Sequence, residues 1–84
     1  MEVNEIEATL KKTVESMDRG ARLEAVLEEA EGYRVILSKG NHSDRATFSK
    51  ELLEGFIQGS RGGHEVKKII GRTVSKLNRM AQRR

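Results

Sequence analysis

From residue 64 to residue 82 apolar side chains recur at three- and four-residue steps, and a row of cations runs beside them. Val66, Ile69, Ile70, Val74, Leu77 and Met80 fall on one strip of a helix, and Lys68, Arg72, Lys76, Arg79 and Arg83 fall on another. No proline interrupts the pattern. Any fold of this chain must bury the first strip and leave the second where negative charge can reach it.

The stretch before it prepares that helix. Ser49 is placed to cap a shorter helix over 49–58, with Glu51 in its first turn and Leu52, Leu53, Phe56 and Ile57 on its apolar side. Gly59-Ser60-Arg61-Gly62-Gly63 then forms a loop that leads into the helix over 64–82. Gly71, inside that helix, suits close packing against another element. Two helices joined by a short glycine loop are expected to pack antiparallel. The expected core is Leu52, Phe56, Val66, Ile70, Val74 and Leu77, set against Val35 and Leu37.

Those last two belong to a run that reads as a strand. Tyr33, Val35 and Leu37 alternate with Arg34, Ile36 and Ser38. Lys39-Gly40-Asn41-His42 is a turn, with Gly and Asn able to take positive φ. Residues 43–48 return as a second strand, with Ala46 and Phe48 inward, so 33–48 is read as a β-hairpin.

Residues 1–31 read as helical. Val3, Ile6, Leu10, Val14, Met17 and Ala21 keep helical spacing, with Asn4 as a cap and Glu5 and Glu7 near the positive end of the dipole. A second apolar set, Leu23, Val26, Leu27 and Ala30, lies about 150° away on a straight helix. Two arrangements satisfy both sets. The chain breaks at Asp18-Arg19-Gly20 into two helices, or it stays one long helix that buries opposite faces in its own core and in a partner. The absence of a strong cap at Arg19-Gly20-Ala21-Arg22 favours the long helix, with Gly32 ending it. The fold expected is therefore a single small α+β domain over 1–84: a helical segment, a hairpin and two helices.

Composition bounds what such a domain can be. A chain of 84 residues buries roughly 60–65% of its unfolded surface. It has no cysteine, hence no disulfide and no cysteine-based zinc site, and only Tyr33, Phe48 and Phe56 are aromatic. A homo-oligomer through the N-terminal segment would supply the missing buried area. The acidic start has no apolar signal region, and no run approaches the roughly 18 apolar residues of a membrane span, so a cytoplasmic protein is expected.

Charge is strongly polarised. Residues 1–32 carry nine acids and four bases, 33–60 three and four, and 61–84 one and eight. Beyond Glu65 the chain has no acid. Five aligned cations on one rigid helix are suited to a phosphate backbone, where binding releases condensed counterions. The glycine loop adds Arg61 beside the free N–H groups of a helix start. The expected binding residues are thus Arg61, Lys68, Arg72, Lys76, Arg79 and Arg83, and the expected partner is DNA or RNA. Two other readings account for the same residues. The strip docks on an acidic protein surface, as in an adaptor or inhibitor, or it is neutralised at home by Glu24, Glu28, Glu29 or Glu31.

The element order over about residues 33–70, together with Gly59-Ser60-Arg61-Gly62, resembles part of a KH domain of the bacterial type. That resemblance implies that the Gly-x-x-Gly tetrad clamps a nucleic-acid backbone, with Val66, Lys67 and Ile69 in the helix behind it. The chain departs from the family in lacking its closing strand, in placing the first apolar residue after the loop one position late, and in carrying Gly63 as an extra residue. Catalysis is not expected. His42 and His64 stand in no metal or triad pattern, Ser43 and Asp44 adjoin His42 only in sequence, and no cofactor or metal is implied.

Overall fold

The computed structural model describes residues 3–59 and 62–82. Its elements follow in the order α1 (Val3–Met17), β1 (Ala21–Glu28), β2 (Gly32–Lys39), β3 (His42–Ser49), α2 (Lys50–Ile57) and α3 (Gly63–Gln82). The α+β class is as expected. The hairpin is one half of a three-stranded antiparallel meander, β1-β2-β3, because residues 21–28 are a strand and not helix.

Neither helical reading of 1–31 survives, and the reason is local. The chain does break at Asp18. The Asp18 carboxylate accepts a hydrogen bond from the Gly20 N–H at 2.8 Å, a side-chain turn that ends α1. Beyond it, Leu23 and Val26 are three apart. In a regular strand that spacing would send them to opposite faces. The pairing of β1 with β2 slips between Leu23 and Ala25, so Glu24 is an extra residue and Leu23 and Val26 both point inward. A β-bulge here imitates helical spacing. The second apolar set is thereby split: Leu23 and Val26 pack into the protein's own core, while Leu27 and Ala30 are exposed. Asn4 lies within α1 and does not cap it.

The rest of the sheet follows the alternation. Tyr33, Val35, Leu37, Ala46 and Phe48 are buried on one face, while Arg22, Leu27, Arg45 and Thr47 are exposed on the other. Gly40 turns the β2–β3 loop with φ of 61°, while Asn41 keeps a negative φ. Gly32 is required by contact: an added Cβ would stand 2.1 Å from the Phe48 carbonyl oxygen.

The helices cover the inward face. α1 lies on β1, and α3 lies on β3 and β2. The core joins Ile6, Leu10 and Val14 of α1 to Val35 and Leu37 of the sheet and to Leu53, Val66, Ile70 and Leu77, all fully buried. The expected core therefore holds at Val66, Ile70, Val74 and Leu77. It is corrected at Leu52 and Phe56, which are only half-buried at its margin, with Leu53 the buried residue of α2. Ser49 caps α2 as expected, accepting the Leu52 N–H. No helix among the described residues is long and apolar enough to cross a membrane.

Candidate nucleic-acid interface

α3 positions the candidate site. It is seated by Val66, Ile70 and Leu77, and Thr73 is accommodated among them by donating its hydroxyl to the Ile69 carbonyl at 3.2 Å. Gly71 costs about 1 kcal/mol of helix propensity relative to alanine. It is used where α1 crosses: a Cβ there would come within 3.3 Å of Met17 Cε. Asn78, one turn from the end, is held by the ammonium of Lys39, which also bonds Asp18 Oδ2 at 2.7 Å. These contacts fix the helix from its start to its last turns.

With that face fixed, the positions from which the cations project are fixed too. Lys68, Arg72, Lys76 and Arg79 are all exposed. Each residue advances about 100°, so the four fall within about 80° of circumference, opposite Val66, Ile70 and Leu77. Along the axis they span about 16 Å. Glu65 is the single acid on the same side. Lys76 Nζ lies 3.5 Å from Asp44 Oδ2 of β3, with the lysine side chain 64% exposed. Lys68, Arg72 and Arg79 form no ion pair among the described residues. Arg61 and Arg83, the other two expected contacts, lie outside the described residues.

Of the four glutamates expected to neutralise the strip, three are engaged elsewhere and Glu31 is exposed in the bend before β2. Glu28 pairs with Lys50 at 3.6 Å, Glu29 pairs with Arg34 at 2.7 Å, and Glu24 accepts a hydrogen bond from Ser38. Glu24 and Glu28 sit on β1, the edge of the sheet farthest from β3, and α1 covers that edge. Asp44 is the acid that sequence reasoning missed. Its signal is the alternation that places it two residues before Ala46, on the inward side of β3 and under α3.

The glycine loop has a packing role. Gly62 takes φ of 87°, and an added Cβ would meet Leu52 Cδ1 at 2.9 Å, so the glycine permits α2 and α3 to approach. Ser60 and Arg61 of the Gly-x-x-Gly tetrad are outside the described residues. The element order behind the KH resemblance differs in the strand at 21–28, where that order has a helix.

The titratable groups that depart from ordinary values are away from the strip. The Lys39 hydrogen bond, then the Gly20 N–H, hold the Asp18 carboxyl below its usual range. Burial, then the hydrogen bond to Glu54, push Tyr33 up. His42 and Asp44 share one side of β3 while Ser43 takes the other, so the three do not converge. No group of three metal-ligating side chains gathers among the described residues. No family model matches the chain, and no curated protein or solved structure matches it.

Proposed function

We propose that this is a small, non-enzymatic nucleic-acid-binding protein that holds a phosphate backbone on Lys68, Arg72, Lys76 and Arg79, with Arg61 and Arg83 extending the contact. The observation that carries the reading is the exposure of four aligned cations on a firmly seated helix, three of them without an acidic partner among the described residues. A helix face that serves only solubility mixes both signs; this one carries a single acid at its start. Phosphate contacts of this kind position a protein on a duplex or strand without reading sequence.

The test is a double charge reversal, Arg72→Glu with Arg79→Glu. Both side chains point away from the core, so the circular dichroism spectrum stays that of the wild type. The midpoint of a gel shift on mixed-sequence nucleic acid moves by about tenfold or more. An unchanged midpoint assigns the strip to an acidic protein partner or to solvation and ends this reading.

A further inference from the structure

We infer that the strip takes a nucleic-acid duplex in preference to a single strand, an inference that rests on the reading just given. Proteins that hold single strands combine a basic groove with aromatic rings on which bases stack, each stacked base contributing about 1–3 kcal/mol. Beside its cations this molecule has no groove, and among the described residues the one ring there is the small His64 imidazole, one turn before Lys68. Tyr33 is 1% and Phe48 4% exposed, both inside the core, and Phe56 packs against the core beside the start of α3. The strip itself is the convex outer side of a helix. A single strand laid along it would lose its conformational freedom with no more than one small ring to stack on.

A duplex meets the same surface on better terms. Its phosphates are already ordered, one per about 3.4 Å of axis on each strand, along a path stiff over about 150 base pairs. The backbone that carries the cations is ordered as well, because Val66, Ile70 and Leu77 anchor the helix. Steps of four residues set them about 6 Å apart along the axis, so the strip of about 16 Å faces some five phosphates of one strand. A fixed helix against fixed phosphates leaves only the cationic side chains to order on binding. Among its described side chains the strip presents no free amide to read an adenine edge. Asn78, the one side-chain amide described in this half of α3, is engaged by Lys39. The recognition is of the backbone and is independent of sequence.

The test uses the full chain and fluorescence anisotropy at low salt, about 50 mM. The probes are mixed-sequence DNA and RNA duplexes of about 20 base pairs and an unstructured oligothymidylate of the same length. At least one duplex is expected to bind about tenfold or more tighter than the single strand, the value of roughly one absent stacking contact. Equal or tighter binding of the oligothymidylate overturns the duplex inference while leaving the nucleic-acid reading in place. Failure of all three probes to bind removes that reading, and the inference with it.

Discussion

Tyr33 is the only tyrosine of the chain, and there is no tryptophan, so its ionisation can be followed by absorbance alone. It lies within the core and donates its hydroxyl to Glu54 Oε2 at 3.0 Å, and both burial and that carboxylate disfavour tyrosinate. The folded state therefore ionises above the ordinary 10.0, and the stabilisation is complete below that value and lost as pH rises through the folded one. Native protein should form tyrosinate later in an alkaline titration than protein in denaturant, and Tyr33→Phe should flatten the alkaline loss of stability. A native titration at the ordinary value would contradict the contact. The acid limb has the opposite sign. Asp18 titrates below its ordinary 3.8 in the fold, so its contribution is present above that value and lost as pH falls toward the folded one. Lys39→Met should reduce that acid-side dependence in urea melts taken between about pH 5 and pH 2, the Gly20 N–H keeping the remainder. Tyr33 was legible as an inward residue because alternation alone places it. The Lys39 bridge was not, because it joins residues 21 and 39 positions apart and no local pattern encodes such a pairing.

Among the elements, β1 separates what the sequence shows from what it hides. A spacing of three between Leu23 and Val26 belongs to a helix or to a bulged strand, and apolar periodicity does not distinguish them. β2, with unbroken alternation, and α3, with five turns of regular spacing, carry no such ambiguity. The bulge makes a sharp prediction. Deleting Glu24 removes the extra residue and restores simple alternation, with Ala21, Leu23 and Val26 still inward opposite Lys39, Leu37 and Val35. The deletion should therefore stay within about 1 kcal/mol of wild type, a Tm shift of no more than roughly 4–8 °C in a domain of this size. Glu24→Ala keeps the bulge and should stay within about 0.5 kcal/mol of wild type. A loss of about 2–3 kcal/mol or more in the deletion variant alone would mean that seating Leu23 and Val26 depends on the bulge itself. A second comparison weighs the helices. Leu10 is fully buried and Phe56 only half-buried, so Leu10→Ala should cost about 2–5 kcal/mol in denaturant titrations and Phe56→Ala about 2 or less. A larger loss at Phe56 would place the core between α2 and α3 and away from α1.

At the scale of the molecule, the fold keeps opposite charges apart. The acids of β1 are exposed at one edge of the sheet, and the cations of α3 stand over the other. The basic strip was legible as a strip because helical spacing defines it; that it is left unneutralised was not, because that depends on strand order. Asp44 is the exception beside the strip, and Asp44→Asn should free Lys76 and tighten nucleic-acid binding by about two- to fivefold, within the worth of an exposed pair. A weaker affinity would show that Asp44 orients Lys76 for its contact. The central claim, that these cations hold phosphates, is tested most directly by the salt dependence of duplex binding. Four to six contacts predict a slope of log K against log salt between about −3.6 and −5.4. Arg72→Ala with Arg79→Ala should reduce that slope by about 1.8. A slope that is unchanged by the double variant, or that is near zero in the wild type, contradicts the account.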